Sequence, residues 1–286
     1  MTAAADIAVP RRAGLVTLAR RSPAAALGAA ILAVVLAVAA LAPLIAPYDP
    51  ILQDINIRLA APSAGHWLGT DTFGRDVLSR LLYGTRPTLL IISLVALIMA
   101  PLGTAIGIVA GYYGGIVERV LMRLTDMVMS FPRLILAFAF VAVLGPGLLN
   151  AALALALTSW PPYARQARVE TQTMRKSDYL AGAEMLGIRG ARLLFGHVLP
   201  MVLPLVAVRV ALDLAGMVLI AAGLGFIGLG VRPPTAEWGT MVADGTSVIF
   251  DQWWVAASPG VAILVASLSF NLLADGLRDL LDPRHG

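Results

Sequence analysis

One polar, basic island, residues 165–200, sits in a chain that is otherwise almost wholly membrane-like. It reads RQARVETQTMRKSDYLAGAEMLGIRGARLLFGHVLP, with an apolar segment before it (144–160) and a longer one after it (198–227). Two membrane spans joined by an intracellular helical loop have this pattern. Only 13% of the 286 residues are charged and 59% are hydrophobic, whereas soluble domains carry about a quarter charged residues. A chain so poor in charge cannot cover a water-facing surface, which predicts an all-α integral membrane protein.

The spans are expected to be helices. A lipid-exposed backbone must satisfy its own hydrogen bonds, and a barrel shows weak alternation rather than long apolar runs. At about 20 apolar residues per span, the runs predict six: about 24–46, 87–111, 119–144, 147–165, 198–224 and 255–276. The first follows Arg11, Arg12, Arg20 and Arg21 and resembles the start of a signal peptide, but its apolar run exceeds the usual 7–15 residues. An uncleaved first span is the expectation, with cleavage as the alternative.

Orientation follows from Arg and Lys near the span ends. With the N-terminus inside, the inner side gains those four arginines, Arg119 and Arg123, six basic residues of the island, and Arg278 and Arg284. The outer side keeps Arg58, Arg75, Arg80, Arg86 and Arg232. This predicts cytoplasmic N- and C-termini. It also divides the chain into 1–84 (N-terminus, first span and external segment), 85–276 (the main transmembrane domain, with the loop 165–200) and 277–286 (a tail).

The absence of cysteine excludes disulfides and thiolate chemistry. His66, His197 and His285 lie far apart, so no metal site is expected. No cluster of nucleophile, base and orienting group is visible, so no catalytic residues are assigned; His66, Asp71, Asp76 and Asp244 are the only acid–base candidates for a membrane enzyme. The net charge of +4 is spread over membrane flanks, which argues for lipid and against nucleic acid.

Within the spans, Gly103, Gly107 and Gly111 recur every four residues and predict a close helix–helix approach. The functional alternative is a helix that slides or tilts. Arg209 and Asp213 are spaced i, i+4, so they can pair where a lone charge costs at least ~2.5 kcal/mol; structural pairing and substrate contact are both open. Arg119, Arg123, Asp126 and Arg133 read as snorkelling or paired groups. Glycines 223, 225, 228 and 230 mark a bend, a re-entrant turn or a gate. Trp253 and Trp254 read as headgroup anchors.

In the island, Ser177 or Asp178 can cap a helix over 179–186 that ends at Gly187. A second amphipathic stretch follows, and Leu199-Pro200 is expected to open the next span. Residue chemistry alone leaves two readings: a generic interfacial helix, or a docking helix for a soluble partner.

The stretch 179–187 followed by HVLP (197–200) resembles the coupling-loop signature of ABC importer permeases: a Glu-Ala-Ala triplet, a glycine after three further residues, and a later Leu-Pro. The triplet positions hold Ala181, Gly182 and Ala183, the glycine is Gly187, and the closing pair is Leu199 and Pro200. The triplet's glutamate is missing, and Glu184 does not occupy its position. WLGTDTFGRDVLSRLLYGTRPTL (67–89), SFPRLILAF (130–138), TSWPPYARQAR (158–168), GLGFIGLGVRPPTAEWGTMVADG (223–245) and NLLADGLRDLLDPR (271–284) resemble, in order, pieces of the C-type permeases of dipeptide, oligopeptide and nickel importers. Ala221 and Gly225 depart from the glutamate and serine usual there.

The resemblance implies a type I importer bundle in a bacterial inner membrane. Its partners would be a homologous B-type permease, two ABC ATPase subunits and an extracytoplasmic substrate-binding protein. ATP and Mg would sit on the ATPases, since this chain has no GxxxxGK[ST] loop. Tyr179, Ala181, Gly182, Ala183, Glu184, Gly187, Leu199 and Pro200 would couple to the ATPases. The segment 67–86 would either face the binding protein and outer gate, or lie as a helix on the bilayer. An ion-coupled or passive carrier is the competing function.

Overall fold

The structure, a computed structural model, describes residues 22–281. The four N-terminal arginines, Arg284 and His285 lie outside the described residues. Among the described residues the regular structure is helical, apart from an isolated bridge between Thr70 and Asp76.

Helix α1 (Pro23–Ile45) starts where Ser22 accepts the Ala25 N–H at 3.3 Å and proline fills the first turn. An external segment with one short 3-10 turn (Ile55–Ile57) follows. Helix α2 (Val77–Tyr113) is capped by Asp76. Its 37 residues make it about 55 Å long, well beyond the ~30 Å hydrocarbon core, so it projects from the membrane. The expected span began at 87. Residues 77–86 instead continue α2, and they do not form a separate helix on the bilayer.

The stretch expected as one span at 119–144 is two helices, α3 (Gly115–Met129) and α4 (Arg133–Leu144), bent by 90°. Pro132 supplies the cause: it lacks an N–H and disfavours helical geometry at Phe131. The expected 147–165 span is α5 (Leu148–Ser159) plus the first turn of α6 (Pro161–Arg175), with Trp160 keeping helical dihedrals between them. Four helices are long and apolar enough to cross a membrane, five if α3 and α4 form one span, counted over the described residues.

The island forms the end of α6 and a short helix, α7 (Asp178–Met185). Helix α8 runs over Ala191–Phe226, with a π-helical turn at Leu194–Val198. Leu199-Pro200 therefore lies inside a helix already under way and does not open the span. Pro200 has no N–H for the Gly196 carbonyl, and the turn widens so that the Leu199 N–H reaches the Leu194 oxygen. Helix α9 (Trp238–Thr246) returns against α8, and α10 (Trp253–Leu281) completes the bundle.

Helix α2 is the hub, touching α1, α3, α5, α6 and α8. Its Ile91, Ile92, Val95 and Met99 are buried with the alanine-rich face of α5 (Ala151, Ala154, Leu155). Helix α1 crosses α10 through small residues: a Cβ at Gly28 would lie 2.7 Å from Leu272 Cβ. The rest of α1 shows Leu27, Val34, Leu36 and Leu44 outward, a surface suited to lipid.

Candidate functional site

Ser177 caps α7 and accepts the Leu180 N–H. Its far end is closed by a Schellman motif: Gly187 N–H donates to the Glu184 carbonyl at 3.0 Å, and Ile188 N–H to the Ala183 carbonyl at 3.1 Å. That closure needs φ +78° at Gly187, a conformation side chains resist. Leu180 and Ala183 face inward and are buried, while Ala181, Gly182, Met185 and Leu186 are exposed. Met185 is 88% exposed, and nothing lies within 4 Å of where a Cβ at Gly182 or Gly187 would be.

Two side-chain links tie α7 to the spans. Tyr112, at the end of α2, donates to Glu184 Oε1 at 3.2 Å. Tyr179 Oη lies 2.8 Å from His197 Nδ1 on the π turn of α8. The Arg175 guanidinium sits 5.8 Å from the Tyr112 ring centre. Leu199 and Pro200 lie in α8 rather than on the exposed face of α7. The island thus presents a small-residue and apolar face outward on a helix anchored at both ends.

Helix α6 connects this platform to the bundle. Gly103, Gly107 and Gly111 of α2 all face it: a Cβ would meet Tyr163 Cβ at 2.6 Å, Ala167 Cβ at 2.7 Å and Thr171 Cβ at 2.8 Å respectively. The two backbones touch along three turns, so α6 cannot shift far without carrying α2. Helix α3 is tied to α6 by a Glu118–Arg168 ion pair, by Gln172 to Glu118 at 2.8 Å, and by Arg165 to Asp126 at 2.6 Å. The sequence suggested pairing among Arg119, Arg123 and Asp126 within α3; Asp126 instead bonds across to α6. Glu118 carries no pairing signal in the sequence, because its partner Arg168 lies fifty residues away.

Arg209 and Asp213 are paired at 3.1 Å on one face of α8. Met217, one turn further, accepts from Arg133 Nη2 at 2.7 Å. The Arg209 guanidinium lies 5.9 Å from the Tyr163 ring centre.

The opposite end of α2 carries a second polar assembly. Arg75 pairs with Asp71 at 2.7 Å and reaches Asp244 of α9 at 3.4 Å. Arg80 contacts Asp71 at 3.4 Å and donates to the Pro50 carbonyl at 3.1 Å. His66 meets Asp76, which also caps α2 through Ser79. The acid–base candidates His66, Asp71, Asp76 and Asp244 are therefore engaged in tying the external segment to α2 and α9. Burial pushes the Asp244 carboxyl above its ordinary range, while Arg75 and then Arg80 oppose that shift. Glu237 caps α9 through the Gly239 and Thr240 N–H groups at 2.8 and 2.9 Å. Burial raises its pKa against those two bonds.

Close packing explains several glycines here. A Cβ at Gly225 would run into the Glu237 carboxylate, which is a steric reason for glycine at that departure. Gly228, at φ +80°, closes α8, and Gly239 lies against the Ala222 backbone, so the segment after α8 turns back on it. Trp254 is not a simple headgroup anchor: its Nε1 is buried and sits over Gly69, where a Cβ would approach it to 2.7 Å. Trp253 is exposed.

With this geometry in place, comparison with known proteins is decisive. The family model described as "Binding-protein-dependent transport system inner membrane component" matches residues 103–285, more than half the chain. The chain belongs to this family of transport permeases. A second model, "N-terminal TM domain of oligopeptide transport permease C", matches residues 19–62 of the permease. The probable D,D-dipeptide transport system permease protein DdpC of Escherichia coli (strain K12) is 42% identical over 274 residues, covering 96% of this chain and 92% of the relative. The di/tripeptide permease protein DppC of Pseudomonas aeruginosa (strain UCBPP-PA14) is 44% identical, covering 85% and 82%. The nickel permease protein NikC of Escherichia coli (strain K12) is 42% identical, covering 83% and 86%. This permease is accordingly a C-type membrane subunit of an ABC importer, multi-pass in the inner membrane, and a transport component rather than an enzyme.

Proposed function

We propose that this permease forms half of a translocation path for dipeptides or a similar small solute and receives its driving force through α7. The other half is a homologous B-type permease. Two ABC ATPase subunits carry ATP and Mg, and an extracytoplasmic binding protein delivers the solute. The relatives named above for D,D-dipeptide, di/tripeptide and nickel transport support that solute range. The α7 end is assigned to the cytosol, with both termini there, and the end bearing Arg75, Arg80 and Asp244 to the outside. Residues 85–276 are the importer transmembrane domain, with the coupling loop at 165–200. Residues 1–84 hold the first span and external segment, and 277–286 the tail.

The observation that carries this reading is the exposed face of α7 set on two anchors, Tyr112–Glu184 and Tyr179–His197. A docking helix must offer an open surface and must not swivel when pushed. On ATP binding the ATPases would close, α7 would move with them, and α6 would pass the displacement to α2 through the glycine contacts. Packed interfaces switch between discrete arrangements, so a small displacement becomes alternating access. The missing glutamate of the triplet leaves shape rather than an ion pair as the basis of docking, and Glu184 is engaged by Tyr112 within the chain.

Gly182→Trp tests this. The site is helical, exposed and open, so the indole disturbs the partner surface and not the permease itself. Membrane insertion should be unchanged, with ATPase copurification and uptake lost. Full uptake, or uptake by the permease with no ATPase present, would overturn the proposal and favour an ion-coupled or passive carrier.

A further inference from the structure

The Arg209–Asp213 pair belongs to a larger polar cluster whose charges do not balance. Arg133 enters from the start of α4, Tyr163 from α6, and Arg209, Asp213 and Met217 from successive turns of α8. Two guanidinium groups face one carboxylate. Among the described residues Arg133 has no carboxylate within salt-bridge distance; one of its nitrogens rests on the Met217 sulfur, and its Nε is buried without a partner. The Tyr163 hydroxyl, in a fully buried side chain, faces Asp213 without a well-formed hydrogen bond. Buried donors in a low-dielectric setting normally find acceptors, and leaving them empty is costly. The arrangement supplies unmet donors and one excess positive charge.

This cluster adjoins a cleft of about 850 Å³ between α6 and α8. Its wall includes Arg165, Gln166, Glu170, Arg209, Leu212 and Arg278. Arg209 lines the cleft and also stacks on Tyr163, so it links open space to the buried donors. The Arg209–Asp213 pair is partly solvent-accessible, at 37% and 23%, and so can open to exchange partners.

We infer that Arg133, Tyr163 and Arg209 form a way-station for the carboxylate of a passing solute, with Asp213 as the resident anion that the carboxylate displaces from Arg209. An anion in the cleft reaches Arg209 in its wall, which exchanges Asp213 for it. Arg133 and Tyr163 then offer the donors that are otherwise unmet. Asp213 reclaims Arg209 as the solute leaves, so the site binds weakly enough to release. The inference rests on the permease reading and narrows it to solutes bearing a carboxylate, such as peptides with a free C-terminus. A lipid phosphate shares this chemistry and is separated from the solute by the test.

The chain has no cysteine, so a single Leu212→Cys in the cleft wall of the assembled importer in nanodiscs is the one labelled position on the permease band itself. At an effective dielectric of about 20, one unit charge about 10 Å away changes local anion concentration roughly tenfold. The same charge depletes a cation by the same factor, so the anionic reagent 2-sulfonatoethyl methanethiosulfonate should react about a hundredfold faster than its trimethylammonium counterpart, after correction for rates with a free thiol. Arg133→Gln or Arg209→Gln should collapse that ratio, Arg133→Lys should retain it, and Asp213→Asn should raise it. Alanyl-alanine should protect the cysteine more than alanyl-alanine amide. A ratio at or below one, a ratio indifferent to these charges, or equal protection by acid and amide overturns the station. Loss of labelling on changing phosphatidylcholine to phosphatidylglycerol assigns the cluster to lipid and also overturns it. ATPase copurification reports separately on the permease reading.

Discussion

Gly107→Ala puts the transmission path under direct stress. The added Cβ would lie 2.7 Å from Ala167 Cβ and 2.9 Å from Arg168 N, with the Ala164 carbonyl oxygen closer still. Ordinary carbon contacts begin near ~3.5 Å, so α6 must retreat from α2 by roughly 0.7 Å or more. Backbone atoms on a helix cannot step aside as a side-chain tip can. Overpacking of this kind costs about 1–3 kcal/mol. Gly216→Ala is the internal control: that glycine is also helical, has nothing within 4 Å, and its replacement gains up to ~1 kcal/mol from helix propensity. Thermal unfolding of the purified importer should show Gly107→Ala lowered by several degrees and Gly216→Ala unchanged or raised. ATP consumed per solute imported should rise in Gly107→Ala alone, because a parted α2–α6 interface transmits less of the displacement of α7. Equal stability and equal coupling in the two variants would refute the claim that α6 moves α2 through this seam.

Two further outcomes follow from the geometry. Glu237 holds its proton more tightly folded than unfolded, so its penalty sets in as pH rises above 4.5 and is complete above its raised value; Glu237→Gln keeps a cap acceptor and should flatten the fall of the thermal midpoint between mildly acidic and neutral pH. Tyr179→Phe and His197→Leu should be non-additive by about 0.5–1.5 kcal/mol, as expected for one shared hydrogen bond, and each alone should raise the ATP cost of uptake.

The sequence made legible those features that depend on local chemistry. Ser177 and Gly187 bracket α7 because a cap and a left-handed closure each have a residue preference. The four-residue glycine repeat marks a close approach because only glycine permits one, although which helix approaches cannot be read from spacing. The sequence did not reveal features that depend on tertiary pairing. Glu118–Arg168 and Arg75–Asp244 join residues far apart in the chain, and Arg133 reads as a snorkelling arginine until Met217 and Tyr163 are seen around it. The 90° break at Pro132 was hidden because the flanking segments are apolar enough to pass as one span. Pro200 misled for a related reason: proline at a first helical turn is common, and the π turn that lets it sit further inside has no sequence signature.

The central claim is that α7 is the surface on which a cytosolic ATPase pushes. Met185→Cys places a single thiol at a side chain of α7 that is 88% exposed, in a chain otherwise free of cysteine. In inside-out vesicles bearing the assembled importer, a short bifunctional crosslinker should join this position to a nucleotide-hydrolysing subunit, with a yield that changes when ATP is added. Labelling of the thiol only from the outer face, or a crosslink to no ATPase under either condition, would contradict the account.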